Sequence, residues 1–122
     1  ERYNNIRFTG FLSSGEYREL INQVDAIMVL TTRENTMQRG GSEAISVGNP
    51  LITSRTQMLQ EYFTRGTVFV QNDKESIRKG IGEMYRNHRK FKVEMEAFKK
   101  ERSVSYREKI EEFLTLIDKE QV

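Results

Sequence analysis

Two carboxylates flank a pair of glycines in TTRENTMQRGGSEAISVGNP, residues 31–50. These are the residues in the chain whose types and spacing best suit chemistry. Glu34 lies in a polar loop, and Glu43 follows Gly40 and Gly41 at the start of an expected short helix. Glycines permit a tight turn and let backbone amides approach a ligand closely. A helix starting just after them offers unpaired N–H groups and the positive end of its dipole, which suits a phosphate or diphosphate. Carboxylates repel phosphate, so Glu34 and Glu43 are better matched to the neutral hydroxyls of sugars. Diphosphate in the middle with a sugar at either end describes a nucleotide sugar. A plainer reading stands beside this one. Polar loops followed by Gly-Gly helix starts are common in α/β proteins, and Glu43 could serve only the helix dipole.

The elements that would hold this segment follow from periodicity. Ile6–Thr9 is a short strand candidate. Ser13 and Glu16 have capping-box spacing, which predicts a helix over 15–23 with Tyr17, Leu20, Ile21 and Val24 inward. AIMVL, residues 26–30, is a continuous apolar run of the kind covered on both faces in a parallel sheet. Gly48 and Pro50 stop the short helix after it. LIT, residues 51–53, and TVFV, residues 67–70, are the next strands. Ser54 and Gln57 suggest a cap for a short helix to Phe63, and Asp73 caps a helix carrying Ile77, Ile81, Met84 and Tyr85. Two further helices are expected. One spans 89–102 with Phe91, Val93, Met95 and Phe98. The other is capped by Ser105 and Glu108 and has Tyr106, Ile110, Phe113, Leu114 and Ile117 on one face. Strands alternating with helices imply an α/β fold, a Rossmann-like parallel sheet with flanking helices, whose ligands sit beyond the carboxyl ends of the strands. The loop after AIMVL lies at such an end.

Composition narrows the class. The 122 residues suffice for one domain, 1–122, with a modest core. The chain is 36% hydrophobic and 31% charged, with aliphatic runs that a disordered chain lacks. A net charge of +2 gives no argument for nucleic acid or anionic lipid. The absence of cysteine excludes disulfides and thiolate sites and suits the cytosol. No His/Cys cluster or Asp-x-Asp pair is present to hold a metal. His88, the one histidine, reads as a surface residue, and Met28, Met84 and Met95 as core filling. The opening ERYNNIRFTG reads like the middle of a domain, with further chain expected before it.

With these residues in place, the chain resembles the C-terminal, donor-binding domain of a GT-B type retaining glycosyltransferase of the large family-four group. The likeness is carried by IRFTGFLSSGEYRELINQVDAIMVLTTRE, GGSEAISVGNPLITS, GTVFVQNDKESIRKGI and SYREKIEEFLTLI in that order. The family motif is two glutamates separated by seven residues. The resemblance places the second on Glu43, as a ligand of ribose hydroxyls. Strict counting places the first on Asn35, with Glu34 one residue early. Either Glu34 reaches the transferred sugar through an extra loop residue, or the Asn35 amide does so. Thr36, Met37, Gly40 and Gly41 fall where the family presents amides to donor sugar and diphosphate, and Gly10, Phe11 and Leu12 where it forms the nucleobase pocket.

The resemblance implies a nucleoside-diphosphate sugar as donor substrate, a glycan or glycolipid acceptor, and no cofactor or metal. It implies a cytoplasmic protein, with peripheral attachment to the inner face of the membrane as a further option. Two strand–helix units carrying a basic residue, and the acceptor-binding domain, are expected outside this chain. The piece alone would then be inactive. It would also leave a sheet edge exposed, re-pair its strands, or self-associate through that edge. The runner-up is a non-enzymatic α/β interaction module with charged C-terminal helices. A receiver-like phosphate-binding domain fits less well, because no acidic cluster with a later lysine can be assembled.

Overall fold

The computed structural model describes residues 4–120. Three apolar runs become β1 (Ile27–Val29), β2 (Leu51–Ser54) and β3 (Thr67–Val70). They pair in parallel in the order β1-β2-β3, with Ile27 opposite Leu51 and Leu51 opposite Thr67. Around them lie α1 (Ser14–Gln23), α2 (Arg39–Val47), α3 (Gln57–Tyr62), α4 (Lys74–Arg86) and α5 (His88–Glu120). The fold is α/β, a three-stranded parallel sheet flanked by helices, compatible with a Rossmann-like arrangement.

The pleat divides the core in two. Leu51 joins Ala44, Ile45, Leu59, Phe63, Met95 and Phe98 on the face covered by α2 and α3. Ile52, Val68 and Val70 pack with Met84 of α4 on the other face. The central strand β2 is buried at all four residues, as a strand with neighbours on both edges and both faces must be. Burying these aliphatic and aromatic side chains contributes about 1.5–3 kcal/mol each.

The first half of α5 braces the amino ends of the strands. His88 Nε2 meets the Asp25 carbonyl at 2.6 Å, just before β1. Lys92 donates to Gly48 O at 2.8 Å and Asn49 Oδ1 at 2.7 Å, just before β2. Glu94 accepts from the Gly66 amide at 3.0 Å, just before β3. Phe91 joins one core cluster, and Met95 and Phe98 the other. The opposite, carboxyl edge of the sheet is left clear of this helix.

Several expectations hold. The Ser13–Glu16 capping box forms reciprocally, Asp73 caps α4, and Gly48 closes α2 at φ 73°. Others are corrected. Ile6–Thr9 is not a strand. It pairs with nothing among the described residues, and Phe8 is 83% exposed. An alternating pattern supplies a face, but a strand also needs a neighbour to complete its ladder. AIMVL is not covered on both faces. β1 is an edge strand whose second edge is unpaired among the described residues; Ile27 and Val29 pack toward α2, while Met28, on the opposite face, is 48% exposed rather than core filling.

The α3 cap is Thr56, not Ser54. The two C-terminal helices are one, α5, because no Gly or Pro interrupts residues 99–108. Ser105 therefore caps nothing, and Tyr106, Ile110, Phe113 and Leu114 lie exposed instead of packed. Ile81 and Tyr85 of α4 are likewise exposed. His88 is half-buried.

Candidate functional site

Glu43 projects from α2 toward α1 into a cavity of about 450 Å³. Tyr17, Arg18 and Asn22 of α1 line it opposite Arg39 and Ser46 of α2. Glu43 Oε1 pairs with Arg39 Nε at 3.0 Å, one turn back. Arg39 is 94% exposed and the Glu43 side chain 18%, so the pair itself contributes little. Glu43 Oε2 is buried and has no hydrogen-bond partner. A buried carboxylate oxygen left unpaired is costly and uncommon. The Tyr17 hydroxyl lies near this carboxylate without bonding Oε2. The Glu43 side chain, then burial, raises the Tyr17 phenol above its usual 10.0, against a smaller opposite pull from Arg39.

The glycines are placed differently from expectation. The helix does not start after them: α2 begins at Arg39, so Gly40 and Gly41 form its first turn with ordinary negative φ. Their lack of a side chain serves packing. A Cβ on Gly40 would collide with the Val29 side chain, and one on Gly41 would meet the Phe63 ring at 3.0 Å. This lets α2 lie close against β1 and α3. The N-cap, Gln38, makes no side-chain cap, and the Gly41 amide turns back to Gln38 O at 3.0 Å. The Arg39 and Gly40 amides are left without a protein partner among the described residues. Side chains cap α1, α3 and α4.

A second, polar hollow of about 170 Å³ lies over the carboxyl ends of all three strands. Glu34 lines it, with Thr31, Thr32, Ser54, Arg55, Thr56 and Asn72. A closed ring of hydrogen bonds ties the strand ends beneath it. Ser54 Oγ accepts from the Thr31 amide at 2.8 Å and donates to Asn72 Oδ1 at 2.7 Å, while Asn72 Nδ2 donates to Thr31 O at 2.7 Å. Glu34 Oε2 accepts from the Gln57 amide at 3.4 Å, the first amide of α3. The neighbouring hollow, about 480 Å³, shares Thr31, Thr32 and Asn72 and reaches Gln38 at the start of α2.

No protein-family model matches the chain. No curated protein or solved structure matches it either.

The expected site residues are therefore dispersed. Glu34 and Glu43 line different cavities with no residue in common. Asn35 is exposed, Thr36 is half-buried, and Met37 packs against the core. Gly10 adopts φ 63°, Phe11 is 98% exposed and Leu12 is half-buried, and none of the three lines the Glu43 cavity. Among the described residues, no group of His, Cys, Asp or Glu is arranged to hold a metal, and no helix is long and apolar enough to cross a membrane. Sequence reasoning missed the Thr31–Ser54–Asn72 ring. Its trace was available: polar residues immediately follow each apolar run, at TT, S and QN. It also missed Arg18, Asn22 and Ser46, whose role depends on α1 lying beside α2.

Proposed function

We propose that the chain is the donor-binding part of a retaining, GT-B type glycosyltransferase of cytoplasmic location, taking a nucleoside-diphosphate sugar and passing the sugar to a glycan or glycolipid. The observation that carries this reading is the Glu43 carboxylate, with one buried oxygen unpaired, facing a cavity large enough for a ligand. Ribose hydroxyls donating to Oε2 would satisfy it. The uncapped first turn of α2 supports the reading as a seat for the diphosphate. Oriented amides stabilise charge developing on a leaving diphosphate. Glu34, at the strand ends, is assigned to the transferred sugar, with Asn35 as the alternative in the same loop.

Calorimetric titration with nucleoside diphosphates and nucleotide sugars tests this. Saturable binding is expected, weakened about tenfold or more by Glu43→Ala, because charged hydrogen bonds contribute roughly 1.5–3 kcal/mol each. Absence of binding, or binding indifferent to Glu43→Ala, would refute the ribose role. In a complete enzyme, Glu34→Gln and Asn35→Ala would each be tested for turnover, and loss with only one identifies the residue used.

A second reading, a non-enzymatic interaction module, is favoured by two observations. The two glycines are accounted for by Val29 and Phe63, and the distal half of α5 presents unpartnered apolar side chains.

A further inference from the structure

Arg18 is a cation for which its own helix supplies no acid. The residues three and four positions away are Ser14, Gly15, Ile21 and Asn22, so no ion pair can form within α1. Other helices place an acid at that spacing and use it: Arg39 pairs with Glu43, Arg78 with Glu75, and Lys92 with Glu96. Arg18 lines the α1–α2 cavity together with Glu43 and makes no ion pair among the described residues. Tyr17, one residue earlier, is perturbed by Glu43 and by Arg39, which sets this level of α1 against the first turns of α2. The charged groups lining the cavity are two guanidiniums, Arg18 and Arg39, and one carboxylate, Glu43. The cavity is therefore cationic on balance, although its buried unpaired atom is a carboxylate oxygen.

We propose that Arg18 holds the anionic group of the ligand whose hydroxyls meet Glu43 Oε2. For the nucleoside-diphosphate sugar proposed above, on which this assignment rests, that group is the diphosphate. A diphosphate entering the cavity is repelled by Glu43 and needs a countercharge. Arg39 is already committed to Glu43 Oε1 at 3.0 Å, which leaves Arg18. The two side chains select different parts of one molecule. An ionised carboxylate only accepts hydrogen bonds, and a guanidinium only donates them. The planar guanidinium fork can take two phosphate oxygens at once. A cationic ligand would also satisfy Glu43, but both guanidiniums oppose it. A neutral sugar would leave Arg18 unused. A ligand with hydroxyls at one end and phosphates at the other engages both. The free Arg39 and Gly40 amides at the start of α2 would then meet the phosphates from the opposite wall.

NMR titration of the 122-residue chain tests it, with uridine, adenosine and guanosine diphosphates, the three matching nucleosides, and inorganic pyrophosphate as probes. At least one diphosphate should bind more tightly than its nucleoside. Arg18→Gln should weaken that diphosphate about tenfold or more and leave the nucleoside within about twofold. Glu43→Ala should weaken both. Arg18 is exposed, and glutamine is a comparable helix former, so circular dichroism should show an unchanged fold. Added salt should weaken the diphosphate more in the wild type than in Arg18→Gln, because exposed charges are screened. Arg18→Lys should keep part of the affinity, as a point charge without the fork. Diphosphate binding that Arg18→Gln leaves unchanged overturns the role of Arg18 alone. Absence of binding by every probe overturns it together with the nucleotide-sugar reading. Pyrophosphate bound through Arg18, with no nucleoside bound, upholds the anion seat and refutes the ribose role of Glu43.

Discussion

Tyr17 and Glu43 are 26 residues apart in sequence yet meet across the α1–α2 cavity, and their coupling is measurable without a ligand. The Tyr17 value is raised first by the Glu43 side chain. A raised value means that the neutral phenol is favoured in the folded chain. Its stabilising share is fully present below 10.0, the ordinary value, and is lost as pH rises through the raised one. In a spectrophotometric titration, one of the five tyrosines should ionise later than a free tyrosine. Glu43→Ala should move it back toward 10.0, and an unmoved titration would show that the two groups do not interact. The candidate carboxylate itself was legible as a residue beside a Gly-Gly pair. Its neighbours were not, because Tyr17 looks from periodicity like any inward aromatic.

At the scale of elements, three Ser residues carry much the same local signature, and only one behaves as a cap. Ser13 caps α1, with Glu16 reaching back to its amide at 3.1 Å. That bonding lowers the Glu16 value, so its contribution is present above 4.5 and is lost as pH falls through the lowered value. Ser54 ends the central strand and spends its hydroxyl on Thr31 and Asn72. Ser105 lies inside α5. Spacing alone cannot separate these cases, because what precedes each serine decides whether a helix can begin there. Gly66 shows the same dependence. It stands at φ 68°, and a Cβ there would lie 2.8 Å from the Met95 backbone. Gly66→Ala should therefore cost about 1–3 kcal/mol, from backbone strain and from separating α5 from β3. Urea denaturation measures it, and a change within about 0.5 kcal/mol would mean that α5 does not approach β3 this closely.

For the whole molecule, α5 is what makes one body of strands that share only short ladders. Met95 is fully buried, close to Phe63 and Phe98, on the turn of α5 that meets the start of β3. Met95→Ala should destabilise the chain by about 2–5 kcal/mol in a single cooperative transition. If the sheet melted separately from α5, the brace described for the strand starts would be wrong.

What the amino-acid order determined by itself is local and periodic: the alternation of apolar runs with amphipathic helices, the caps at Ser13 and Asp73, and the stop at Gly48 and Pro50. These depend on residues within a turn or two of one another. Only the tertiary structure decided that β1 is an edge, that residues 6–9 find no ladder, that Glu34 and Glu43 open into separate cavities, and that the last apolar stripe meets water. Each of these depends on which segment lies across the sheet or beside the helix. Hydrogen-bond ladders and burial are properties of pairs of segments, so no single segment contains them.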